Sequence, residues 1–163
     1  MTLPATHLHI NIKTQQLDVW QASNIIQHYP VSTALNGPGQ QLDSGCTPTG
    51  LHAIYRKIGV DCPLNTVFVG RQAQPDLYTI ERAAQQPDND WILSRILWLT
   101  GCETGLNQGG QQDTLQRYIY IHGTPDTEPM GIPRSHGCIR MRNTHIITLF
   151  EAVIEGTLVS ITD

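Results

Sequence analysis

Tyr120-Ile121-His122-Gly123 leads through a loop, residues 124–134, into Ser135-His136-Gly137-Cys138-Ile139-Arg140-Met141. The loop holds Pro125, Pro129, Gly131 and Pro133, and prolines restrict a chain, so it reads as a shaped wall or lid rather than a free linker. Tyr118 to Ile121 reads as a strand that delivers His122 at its end. Cys138 follows a glycine, has two histidines near it in sequence, and stands among Arg134, Arg140 and Arg142. Nearby cations and a histidine base favour the thiolate, the reactive form of cysteine. A cysteine beside a histidine is the working pair of covalent acyl transfer. Gly137 leaves the thiol open and permits a tight turn before it. Amides at such a turn can face the oxyanion of a tetrahedral intermediate.

Two blander readings compete. A lone cysteine in a small domain is often a buried apolar residue, and that reading suits Cys46, Cys62 and Cys102, which lack a histidine at this spacing. Cys138, His136 and His122 could also ligate zinc. No Cys-x-x-Cys or His-x-x-x-His pair completes a site, so no metal and no cofactor is expected.

The stretch resembles the active-site motif of the L,D-transpeptidase family, the YkuD-type catalytic domain. That motif runs His, spacer, Ser/Thr-His-Gly-Cys, a hydrophobic residue, then Arg or Asn. Its pieces here are His122, residues 123–134, and Ser135-His136-Gly137-Cys138-Ile139-Arg140. Tyr29-Pro30-Val31-Ser32-Thr33 and Thr47-Pro48-Thr49-Gly50 look like the family's early landmarks, and Gly156-Thr157-Leu158-Val159-Ser160-Ile161 like its closing strand. Four landmarks in order spread the likeness over nearly the whole chain.

The 163 residues fit a single domain, 1–163, with 39% hydrophobic composition and room for a core. The formal charge of −4 argues against a nucleic-acid partner. Met1 is followed by Thr-Leu-Pro-Ala-Thr, without a basic and then apolar leader pattern, and no apolar run is long enough for a membrane anchor. The expectation is a cytoplasmic protein whose four cysteines stay thiols. Wall-building relatives are usually exported, so this is a departure from the family's habit.

Along the chain, residues 7–12 alternate and place Leu8, Ile10 and Ile12 on one face of a strand. Residues 17–20, 25–33, 51–58 and 66–71 read as further strands. Thr79 to Gln86 suits a short helix within a polar middle stretch. Ile92 to Leu99 is ambiguous by periodicity, and the resemblance favours a strand. Asn143 or Thr144 can cap a helix carrying Ile146, Ile147, Leu149, Phe150, Val153 and Ile154, and Gly156 stops it. Many short strands and one strong helix argue for a mainly β domain. The resemblance sharpens that to a β-sandwich of mixed sheets with a C-terminal helix.

The resemblance also implies roles. Cys138 is the nucleophile and His122 the base, oriented by the Gly123 carbonyl. His136 shapes the motif or serves the oxyanion site, and the amides of Gly137 and Cys138 are the oxyanion donors. Ser135 and Arg140 belong to substrate binding, Arg140 as a carboxylate clamp or, equally, as a structural salt bridge. The implied substrate is a peptidoglycan stem peptide or muropeptide, attacked at the L-centre of its third residue with loss of D-Ala. Inhibition by carbapenem-type β-lactams is implied too. Water as acceptor gives an L,D-carboxypeptidase of wall recycling, which a cytoplasmic location favours. An amine acceptor gives a cross-linking L,D-transpeptidase. A stem-peptide-binding domain without catalysis is the reading of another class.

Overall fold

The computed structural model describes residues 5–163. Met1 and the three residues after it, which entered the expectation about export, lie outside the described residues. Ten strands, β1 Thr6–Asn11, β2 Gln16–Gln21, β3 Asn24–Pro30, β4 Gly50–Ile58, β5 Thr66–Val69, β6 Gln72–Leu77, β7 Ile92–Gly101, β8 Tyr120–Thr124, β9 Ile139–Arg142 and β10 Leu158–Thr162, join one mixed sheet. Helix α1, Ile80–Gln85, is short; α2, Asn143–Ala152, is the principal helix. The mainly β architecture with a C-terminal helix is the expected one, and its layers are parts of a single curled sheet.

Strand order is β3-β2-β1-β10-β4-β7-β5-β6, with β8 branching from β7 and β9 pairing on β8. The first hairpin follows from its alternation: Leu8 and Ile10 of β1 face Val19 and Leu17 of β2, all buried. The closing strand β10 lies parallel to β1. Near the C-terminus, α2 packs on β7, β8 and β9. Its buried Ile146, Leu149 and Phe150 meet Ile121, Ile139 and Met141 in the main core. Each such side chain removed from water contributes about 1.5–3 kcal/mol.

Those core residues settle what the other face of β8 and β9 presents. Successive side chains in a strand point to opposite faces. With Ile121, Ile139 and Met141 in the core, Tyr120, His122, Cys138 and Arg140 fall on the opposite face. The helix ends at Ala152, earlier than expected: Val153 is already extended, buried in the core, and Ile154 is exposed beyond it. Its start differs from expectation. Asn143 does not cap it; its buried side chain accepts from Ser94 Oγ at 2.7 Å and donates to the Thr124 carbonyl at 2.8 Å. Those bonds tie α2 to β7 and β8, which a capping bond would not do.

His52 on β4 is fully buried between the Gly50 carbonyl and Thr114 Oγ1, each 3.0 Å from a ring nitrogen. Burial, the leading cause, pushes its pKa from 6.5 down to about 4. The unfolded chain therefore takes up a proton near pH 6.5 that the folded chain refuses until about 4. Stability is full above pH 6.5 and drains as pH falls towards 4, by up to about 3 kcal/mol from this group. Burial of His122 acts in the same direction. The melting-temperature difference between wild type and His52→Gln should shrink steadily as pH drops from 7 to 4. A difference independent of pH would contradict this.

Candidate active site

Parallel strands β8 and β9 run in register, with Ile121 opposite Ile139 and His122 opposite Arg140. Cys138 sits just before β9, beside Tyr120, whose amide donates to Sγ at 3.3 Å. The thiol proton is directed to the Tyr118 carbonyl, 3.5 Å away. His122 is 1% exposed and lies inside β8 rather than at its end. Its Nδ1 is 2.6 Å from the Gly123 carbonyl. A carbonyl only accepts, so Nδ1 carries the proton and Nε2 keeps its lone pair. That is the tautomer a general base requires. Among the described residues no hydrogen bond joins the imidazole to Sγ in this resting arrangement. Such contacts commonly tighten only when substrate binds.

Glycine is needed at 123. A Cβ there would stand 2.5 Å from the Leu93 carbonyl oxygen and closer still to Asn143 Oδ1. The close packing of β7 and α2 on this residue holds the carbonyl that orients His122.

The state of the thiol departs from expectation. Arginines surround the motif in sequence, but burial dominates and pushes the Cys138 pKa up to about 12. The Tyr120 amide, Arg140 and Arg117 favour the thiolate and are outweighed, while Asp90 opposes it. Burial likewise lowers the His122 pKa below its usual 6.5. Burial thus favours the neutral forms of both the thiol and the imidazole.

Other expected residues fall into place with altered roles. Ser135 is 2% exposed, with Oγ donating to the Cys138 carbonyl at 2.5 Å and accepting from the Gly137 amide at 3.2 Å. Enclosed this way, it shapes the turn before Cys138. The same bond engages the Gly137 amide. The Cys138 amide has no acceptor among the described residues and is left free. Gly137 itself has φ 139°, a conformation that favours glycine. Thr47 of the Thr-Pro-Thr-Gly turn donates to the Gly137 carbonyl at 2.9 Å, so that landmark braces the turn before Cys138.

Arg140 is 7% exposed and pairs with Asp90 at 2.8 Å and Glu128 at 3.7 Å. Of its two candidate roles, the salt bridge is the one present. His136 projects outward, its side chain 77% exposed, with Nδ1 3.1 Å from Asp90. Asp90 is thus a hub that the sequence did not reveal. Burial works against its charge, yet His122, Arg140 and the hydrogen bonds from His136 and Arg140 hold its pKa below the usual carboxylate value. Arg117 also escaped notice. Its guanidinium donates to the carbonyls of Gly39, Gln40 and Cys46, the last at 2.6 Å, and clamps the loop that carries Thr47. Asp90 lies far from the motif in sequence and Arg117 three residues before Tyr120, and neither carries a local signal. Among the described residues no group of His, Cys, Asp and Glu side chains is arranged to hold a metal ion.

Comparison with known proteins meets this geometry. The family model for the YkuD L,D-transpeptidase catalytic domain matches residues 5–161. The chain belongs to the L,D-transpeptidase family. A putative L,D-transpeptidase of Bacillus subtilis, YqjB, is 49% identical over 47 residues, 29% of this chain and 27% of that protein. Among solved structures, residues 123–326 of the L,D-transpeptidase from Xylanimonas cellulosilytica superpose with TM-score 0.56 at 15% identity, over 99% of this chain and 62% of that one. The L,D-transpeptidase of Mycobacterium smegmatis gives 0.57 at 15%, over 98% and 59%. L,D-transpeptidase 3 of Mycobacterium tuberculosis, in complex with a faropenem-derived adduct, gives 0.59 at 16%, over 98% and 61%. These likenesses concern the fold of the L,D-transpeptidase domain. The chain spans about six-tenths of the length of these solved relatives.

Proposed function

We propose that the protein is a cysteine-dependent L,D-carboxypeptidase that removes terminal D-Ala from peptidoglycan tetrapeptides. The observation that carries this is the Cys138 thiol and the Nε2-basic His122 on one face of adjacent parallel strands, in a domain of this family. His122 Nε2 takes the thiol proton as Sγ bonds to the carbonyl carbon of the third residue. The resulting oxyanion faces the Cys138 amide. Collapse breaks the carbon–nitrogen bond, and His122 returns the proton to the departing D-Ala amine. Water then attacks the thioester, gives its proton to Nε2, and releases tripeptide; the sulfur recovers a proton.

The choice of water over an amine follows from the proposed compartment, where soluble muropeptides meet abundant water. Four free cysteines suit a reducing compartment, so the proposal places the reaction in the cytoplasm, on soluble muropeptides of wall recycling.

The test is mass spectrometry of a tetrapeptide incubated with the protein, with and without an amine acceptor. Tripeptide plus D-Ala in both cases is expected. Cross-linked dimers as the main product would replace this reading with a transpeptidase. Cell fractionation that recovers the native protein outside the cytoplasm would remove the recycling role.

A further inference from the structure

Arg71 occupies an unusual place. It stands in the two-residue turn between paired Val69 of β5 and Gln72 of β6. Gly70 and Arg71 have φ of 53° and 65°, the left-handed pair of a type I′ hairpin turn. Glycine or asparagine is the ordinary choice there, so a long cationic side chain runs against local preference.

The side chain folds back over the sheet. Its guanidinium carbon is 4.9 Å from the centroid of Trp98 and 4.8 Å from that of Tyr118. Nη1 donates to Tyr120 Oη at 3.0 Å. Trp98 is itself held by edge contacts from Tyr55 and Tyr120. The cation is thereby fixed in orientation by three anchors. Two of them touch the nucleophile through their backbones, since Tyr120 donates to Sγ and Tyr118 accepts from it.

The other arginines around Cys138 are engaged. Arg140 is paired with carboxylates, and Arg117 is bound to carbonyls. Arg71 has no carboxylate partner among the described residues, and one hydrogen bond leaves most of its five N–H groups without a protein acceptor. A planar fork, braced on aromatic faces with donors to spare, suits a planar anion with two oxygens.

We propose that Arg71 binds a carboxylate of the substrate, in a subsite beside Cys138 that Trp98, Tyr118 and Tyr120 hold in place. This rests on the stem-peptide reading above. Such a peptide offers two sources: the C-terminal carboxylate next to the scissile bond, and the far carboxylate of a diaminopimelate third residue.

Binding is measured by calorimetry on the full chain carrying Cys138→Ala, so that no turnover intervenes. The peptides are a tetrapeptide acid, its C-terminal amide, and the matching acid with lysine in third place. Adding Arg71→Met should weaken the diaminopimelate acid roughly 10–100-fold, the range of a charged hydrogen-bonded contact. If the terminal carboxylate is the ligand, the amide alone will be indifferent to the substitution. If the third residue supplies it, the lysine peptide alone will be indifferent. Arg71→Lys should recover part of the loss, because it restores charge without the fork. Circular dichroism confirms that each variant is folded. No loss, or the same loss for all three peptides, overturns the subsite. Peptides that bind and are hydrolysed by wild type yet ignore Arg71 defeat only this inference. Peptides that neither bind nor react defeat the function reading and this one together.

Discussion

Cys138→Ala is expected to release no measurable D-Ala from tetrapeptide, while its unfolding transition stays close to that of wild type. The proposed chemistry has no substitute for the sulfur, because every covalent step of that mechanism passes through it. Structurally the loss is small. Cys138 only borders the small cluster of Phe68, Ile96 and Tyr120. The Tyr120 amide forfeits a long contact to sulfur, which costs on the order of 1 kcal/mol. The same variant should show no mass gain on incubation with a carbapenem, whereas wild type should gain one inhibitor. Turnover near the wild-type rate in a folded Cys138→Ala protein would remove Cys138 as nucleophile. An adduct on Cys46, Cys62 or Cys102 would redirect the search to another thiol.

What the chain disclosed before folding, and what it withheld, divides along a physical line. The β1–β2 hairpin and α2 were legible because burial on one face imposes a period on the sequence. Strand β6, Gln-Ala-Gln-Pro-Asp-Leu, was not, because its residues are mostly exposed and it owes its strand state to pairing with β5. In the site, His122, Cys138 and the Gly123 carbonyl were legible because the chemistry needs those groups at fixed backbone positions. Asp90, Arg117 and Arg71 were not. Each acts across the fold, through Arg140 and His136, through the loop before Thr47, and through Trp98 with Tyr118. Asn143 was located but misread, since a short polar side chain serves a cap or a buried bond equally well until its neighbours are known. The thiol's protonation shows the same limit. Neighbouring charges can be counted in a sequence, but the water excluded by Phe68, Ile96 and Tyr120 cannot.

Removal of His122 tests that last point most directly. His122→Ala should lower kcat/KM by about two to four decades, the span of a positioned general base. The pH profile carries the more specific signature. In wild type, His122 must be neutral to accept the thiol proton, and burial has moved its pKa below 6.5. Activity should therefore hold through neutral pH and fall only on the acid side of 6.5. With His122 gone, that acid limb should vanish. The residual rate should instead climb with pH, because only thiolate formed by solvent can attack, and the thiol ionises at about 12. A thiolate–imidazolium pair would behave differently, since its thiolate would already be present at neutral pH and alkylation of Cys138 would be fast there. The neutral pair predicts slow alkylation at pH 7 in wild type and slow alkylation in His122→Ala alike. Should His136→Ala prove far more damaging than His122→Ala, with both proteins folded, the exposed histidine beside Asp90 would be the base, and the role drawn for His122 from the Gly123 carbonyl would be wrong.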